Sequence, residues 1–263
     1  MATKSRSASG SHPPPSPIGG GLQAAIDQVR GGGLVLLYDG DDREGEIDLV
    51  APAGVATPQL VRRMRTDAGG MLCVTIPPSV HLAWGLPLAE DLLASAATQH
   101  PLLRNVIAGK PAYDARSAFS LFVNARTTFT GITDADRSTT IQALASLVEE
   151  TLESPSPRMG ERFAQTFRAP GHVALLNCAI GGLAARRGHT ELTATLLELG
   201  GLPGCGMICE MLGDDGAALD KAAGFKYAAR HGLPFLEGAE VLSAWQNTSR
   251  KPEHPLTAPP RFG

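Results

Sequence analysis

Short apolar runs alternate along the chain with polar, glycine-rich breaks, and their spacing predicts helices and strands in mixed order. Leu22, Ile26 and Val29 recur at helical spacing until Gly31-Gly32-Gly33 stops the helix. The unbroken run Leu34 to Tyr38 predicts a buried strand, and Ile47 to Ala51 its returning partner. Pro58 to Arg65 has a helical pattern, while Met71 to Ile76 and Phe119 to Ala125 have strand patterns. A long helix should follow Asp136 through Ile141, Leu144, Leu147 and Val148, with acids in its first turn where the dipole favours them. Another should begin at His189 or Thr190 and run through Leu192, Leu196 and Leu197 to Gly200-Gly201. Met207 to Met211 reads as a strand, Asp214-Asp215-Gly216 as a turn, Ala217 to Arg230 as a helix and Glu240 to Trp245 as a last short helix. Strands of unequal spacing among helices predict an α+β (α/β-like three-layer) single domain, a mixed β-sheet packed by helices, with no internal repeat.

Composition sets the limits of that domain. Residues 1–21 are rich in Pro, Ser and Gly and are expected to form a disordered extension, and residues 248–263 a flexible tail, leaving a folded unit over residues 22–247. With 263 residues and 43% hydrophobic content, one core can be buried without disulfides or structural metal. The 23 Lys and Arg against 26 Asp and Glu, net −3, lack the basic excess that nucleic acid selects. No apolar run approaches the roughly 18 to 20 residues of a membrane span. Four cysteines without C-x-x-C spacing, and no secretory apolar segment near Met1, point to a reduced, cytoplasmic protein. Small-molecule chemistry is the expectation that survives.

The densest chemical signal is Asp39-Gly40-Asp41-Asp42-Arg43-Glu44-Gly45-Glu46-Ile47-Asp48, six carboxylates in ten residues directly after a buried strand. Crowded carboxylates repel unless a cation sits among them, so a hard divalent metal is the natural guest, with a solvated acidic turn as the alternative. A calcium EF-hand loop is excluded, because Glu44 and Val50 stand where its sixth-position Gly and twelfth-position Glu belong. Arg186-Arg187-Gly188-His189-Thr190-Glu191 opens a predicted helix, where free N–H groups and two arginines suit a phosphate. His189 offers a ring nitrogen to a metal. Pro170-Gly171-His172-Val173 and Cys209-Glu210 add a His and a Glu suited to acid–base work, each weak alone. Cys73 has the composition of a small buried residue. Neither glycine run continues into a dinucleotide or P-loop motif.

Five ordered motifs make the combination specific. Asp42 to Asp48, Phe129-Thr130-Gly131-Ile132-Thr133-Asp134-Ala135-Asp136-Arg137, Arg168 to Val173, Arg187 to Glu191 and Cys209-Glu210-Met211 resemble the motifs of 3,4-dihydroxy-2-butanone 4-phosphate synthases. The resemblance covers Leu22 to Trp245 and is closer to the archaeal-type, monofunctional members. It implies a lyase of riboflavin biosynthesis that turns ribulose 5-phosphate into formate and a four-carbon phosphate by metal-assisted enolisation, dehydration, skeletal rearrangement and formate loss. It implies Glu44 and His189 as ligands for Mg2+, with Mn2+ able to substitute. Arg43, Glu44, Asp48, Thr140, Arg186, Arg187, Gly188, His189, Thr190 and Glu210 match substrate-binding positions. His172, Glu210, Glu46 and Cys73 match positions needed for activity. It further implies a homodimer with active sites at the subunit interface, the His189 side being a candidate contribution of the partner chain. A metal-dependent pentulose-phosphate isomerase or aldolase would use a similar site. So would a binding protein without turnover, in which Glu44 and His189 would stand too far apart to share a metal.

Overall fold

The structure is a computed structural model that describes residues 21–107, 109 and 113–249. The expectations for the two ends of the chain therefore fall almost wholly outside the described residues. In chain order the elements are α1 (Gly21–Arg30), β1 (Val35–Tyr38), β2 (Ile47–Pro52), α2 (Pro58–Asp67), β3 (Cys73–Ile76) and α3 (Pro78–Trp84). There follow α4 (Ala89–Ala96), α5 (Leu102–Val106), β4 (Phe119–Ala125), α6 (Asp134–Glu153), α7 (Met159–Thr166) and β5 (Phe167–Asn177). The chain continues as α8 (His189–Leu199), β6 (Gly206–Glu210), α9 (Lys221–His231), β7 (Phe235–Glu237) and α10 (Gly238–Ser249).

The strands form one mixed seven-stranded sheet in the order β4-β5-β3-β6-β2-β1-β7. Period-two alternation sends neighbouring residues to opposite faces. Leu36, Leu49, Val74, Leu175 and Met207 pack with Met64, Val80, Ile141 and Leu144 of α2, α3 and α6. Leu37, Val50, Cys73, Ala174 and Ile208 pack with Ala25, Val29, Leu192, Leu196 and Val241 of α1, α8 and α10. The result is the three-layer arrangement the hydrophobic pattern predicts. On the second face the alternation carries polar residues to the strand ends. Asp48 of β2 is in register with Glu210 of β6, and α8 lies over that face.

Several boundaries differ from the sequence reading, for local reasons. The long helix α6 starts at Asp134, because the Thr133 hydroxyl accepts the Asp136 N–H at 3.0 Å and caps the helix three residues earlier. The helix expected from Ala217 starts at Lys221, where Asp220 accepts the Ala223 N–H at 2.9 Å. Ala218 instead bridges to Leu212. The strand β5 was not expected: Pro170 and Gly171 interrupt its first half and mask the apolar run that follows. The helices α3, α4, α5 and α7 and the three-residue strand β7 are too short for a periodic signal.

Candidate active site

The acidic segment between β1 and β2 is a folded loop held from one point. Asp39, 6% exposed, accepts the backbone N–H groups of Gly40, Glu44, Gly45 and Glu46 at 2.9, 3.0, 3.1 and 3.2 Å. Gly40 and Gly45 have φ of +148° and +70°, which side chains rarely adopt, so the loop's tight path needs glycine at both places. With both its oxygens engaged, Asp39 organises the loop and projects Glu44 and Glu46 toward α8.

His189, the first residue of α8, meets that loop within the same chain. Its Nε2 lies 3.2 Å from the Glu46 carbonyl, which can only accept, so Nε2 carries the proton and Nδ1 faces Glu44 Oε2 at 3.7 Å. Two donors about 2.0 to 2.1 Å from one magnesium ion stand roughly 3 to 4 Å apart, so this pair fits a shared hard cation. Ligand atoms of Asp39, Glu44 and His189 lie within 4.8 Å of one another, although Asp39 is already committed to the loop. Asp48 Oδ1 is buried with no hydrogen-bond partner among the described residues, and lies 3.8 Å from His189 Nε2. Such an orphaned oxygen marks a site that a ligand completes. These observations go against the binding-only reading, which required Glu44 and His189 to stand apart. They also correct the expectation that the His189 side comes from a partner chain.

The charges tune one another. Burial opposes the charged imidazole of His189, but Asp48, Glu44 and Asp39 outweigh it and raise its pKa from 6.5 to about 9. Burial raises Asp48 to about 7 against the pull of His189. The His189 imidazole 3.7 Å away lowers Glu44, whereas burial beside Glu44 and Glu210 raises Glu46. Two carboxylates pushed in opposite directions at one site are suited to separate tasks.

Beside this cluster Arg186 is gripped by two acids. Its Nε donates to Asp114 Oδ2 at 2.5 Å and its Nη1 to Glu191 Oε2 at 2.9 Å, which leaves Nη2 for an anion. Asp114 also accepts from Arg43 Nη2 at 3.3 Å, so one carboxylate ties the acidic loop to the head of α8. Sequence reasoning missed Asp114, which stands in an unpatterned loop. Gly188 is the N-cap of α8, and a Cβ there would fall 2.5 Å from Arg186 Nη1. Glu44, Asp48, Arg186, His189, Thr190 and Glu210 line one cleft of about 100 Å³.

Several expected site residues lie elsewhere or in a different state, among them Arg43, which lines the same neighbouring cavity as Arg187. Arg187 is exposed and lines a neighbouring cavity with Asp41, Asp42 and Lys221, because consecutive residues before α8 point apart. Thr140 is fully buried in α6; its hydroxyl donates to the Asp136 carbonyl and accepts the Ala125 N–H, both at 3.0 Å, so it cannot grip a phosphate. Cys73 is buried under Glu210 and Asp48, and burial holds its thiol well above the usual range, which makes it a neutral wall rather than a nucleophile. His172 is exposed on β5, outside the cleft, and bonded to Asn124.

The sequence profile described as 3,4-dihydroxy-2-butanone 4-phosphate synthase matches residues 23–244. The chain belongs to this family. Among curated members of the 3,4-dihydroxy-2-butanone 4-phosphate synthases, that of Methanosarcina mazei is 43% identical over 227 residues, 85% of this chain and 90% of that protein. The Archaeoglobus fulgidus synthase is 42% identical, over 86% of this chain and 94% of that protein. A crystal structure of a 3,4-dihydroxy-2-butanone 4-phosphate synthase in complex with two magnesium ions superposes with a TM-score of 0.67 at 25% identity, covering 88% and 99% of the two chains. The two-domain synthase RibBX of A. baumannii gives 0.69 at 27% identity, with 88% of this chain spanning 59% of that one. The archaeal relatives agree with the archaeal-type motifs.

Proposed function

We propose that the chain converts D-ribulose 5-phosphate into L-3,4-dihydroxy-2-butanone 4-phosphate and formate, the lyase step of riboflavin biosynthesis associated with its family. The observation that carries the reading is a pair suited to a cation, Glu44 and His189, 3.7 Å apart beside an arginine whose Nη2 has no hydrogen-bond partner among the described residues. Arg186 Nη2, the Thr190 hydroxyl and the free N–H groups at the head of α8 bind the phosphate. Gly188 keeps the guanidinium in its position, and Arg43 acts through Asp114. Glu44 and His189 hold Mg2+, with Mn2+ as a substitute. A bound cation polarises the sugar oxygens beside the carbon that loses its proton. Asp48 and Glu210 face the sugar hydroxyls from adjacent strands, and Glu46 and Glu210 move protons.

His172 lies outside its own chain's cleft, which supports a two-fold homodimer in which the partner's His172 completes each site. Exposed Phe122 (39%), in the strand that carries Asn124, and exposed Phe129 (91%) and Ile132 (51%), beside the Thr130 that Asn124 bonds, add apolar surface of the kind that interfaces cover. Four free, buried cysteines, and no helix among the described residues long and apolar enough to cross a membrane, support a reduced, cytoplasmic setting. The deciding experiment incubates the protein with ribulose 5-phosphate and Mg2+ and assays formate and the four-carbon phosphate. Formate that disappears with chelator is the expected result; pentose interconversion without formate overturns the reading.

A further inference from the structure

Two of the sequence motifs, far apart along the chain, converge on a residue that belongs to neither. Asn124, in β4, is 3% exposed, and its side chain is fully used. Its Oδ1 accepts the backbone N–H of His172 at 2.9 Å, and its Nδ2 donates to the Thr130 carbonyl at 3.3 Å. A backbone N–H can only donate and a carbonyl can only accept, so these contacts fix which end of the amide is nitrogen. The second Nδ2 hydrogen then meets His172 Nδ1 at 3.1 Å, whereas the already occupied Oδ1 is farther from that ring nitrogen, at 3.3 Å.

The surroundings leave the amide no alternative position. A Cβ at Gly131, whose φ is +93°, would lie 2.0 Å from Asn124 Nδ2, and a Cβ at Gly171 would lie 2.4 Å from the Asn124 backbone nitrogen. Gly131 therefore makes room for the Asn124 amide itself, and Gly171 for the β4 backbone at Val123 and Asn124 that carries it. A buried amide packed this closely and aimed at an exposed imidazole orients that ring.

We propose that Asn124 is a positioning residue that holds His172 as the Nε2–H tautomer, so that the histidine presents a hydrogen-bond donor, not a base, to whatever it faces. The link from that donor to turnover rests on the reaction proposed above; the tautomer itself does not.

The test is long-range proton–nitrogen correlation NMR of ring-labelled protein in a mildly alkaline buffer, with His172→Gln identifying the signals. The expected spectrum has His172 Nδ1 unprotonated and Nε2 protonated. In Asn124→Asp, which replaces the donor by an acceptor, the proton should move to Nδ1 and kcat should fall at least about tenfold, with KM changed less than kcat. Asn124→Ala should average the two ring nitrogens. A wild-type ring already protonated on Nδ1 overturns the inference even if no variant folds, as does an unchanged tautomer in folded Asn124→Ala. Absence of formate from the wild type would instead count against the reaction and leave the NMR result standing.

Discussion

The Glu44–His189 cluster and the His172 platform are held by opposite means. Glu44, Asp48, His189 and Arg186 are enclosed by their own chain, with Asp39 fixing the loop and Asp114 joining it to α8. Each charge there depends on several others, and burial multiplies their coupling. His172 stands exposed in the middle of β5, and its ring nitrogen is contacted by the single amide of Asn124. The groups proposed for cation and phosphate binding thus belong to one polypeptide, while the imidazole is offered outward.

The largest effect should come from breaking the enclosed cluster. Glu44→Gln and His189→Asn should each lower divalent-dependent formate production by more than about a hundredfold, since they remove ligands rather than their supports, with circular dichroism unchanged. Substantial activity in either removes that residue from the metal site. The exposed platform is probed by complementation: His172→Asn and Glu44→Gln should each be inactive alone. Mixed after subunit exchange, they should recover about a quarter of wild-type activity, because half the dimers are mixed and each of those has one intact site. No recovery would mean that His172 does not act across an interface.

Gly188→Ala should raise KM for ribulose 5-phosphate by about ten- to a hundredfold, because the new methyl displaces Arg186 from its two carboxylates. Thr140→Val should leave KM unchanged and cost about 1 to 3 kcal/mol of stability by orphaning the Ala125 N–H, measurable by urea unfolding. A raised KM would return Thr140 to the phosphate site.

Stability against pH separates the regions once more. The folded pKa of His189, about 9, exceeds its unfolded value of 6.5. Its contribution is therefore complete below 6.5 and lost as pH rises through 9. Asp48, raised to about 7, acts in the same direction at lower pH. The metal-free melting temperature should fall across this range, and added Mg2+ should flatten the fall, because a coordinated imidazole must be neutral. An equally steep fall with Mg2+ present would mean that the ion does not bind His189.

Much of this was legible in the sequence. The central strands and the long helices announce themselves by periodicity, and the acidic loop and the Arg186 to Glu191 turn by local density of charge. What escaped depends on distance or direction. Asp114 acts on Arg43 and Arg186 from 71 and 72 residues away, through a loop without pattern. Asn124 reads only as one polar residue in a strand. Arg187 and Thr140 were assigned from the resemblance to the family's substrate-binding positions, but a place in a motif does not determine which way a side chain faces. The strand β5 was concealed by Pro170 and by Gly171, whose missing side chain lets the β4 backbone approach.

The helix α8 has nine of its eleven residues buried, including the first three. Its opening turn, to which the proposed site assigns phosphate and cation binding, is thus part of the molecule's interior rather than an appended loop. From Leu192 onward, where the amide is bonded to the Gly188 carbonyl, amide hydrogens should exchange with solvent only through the rare openings that expose the core. Solvent deuterium should accordingly reach the body of α8 among the last places in the protein, long after the surface helices α4 and α5, which bury no residue at all.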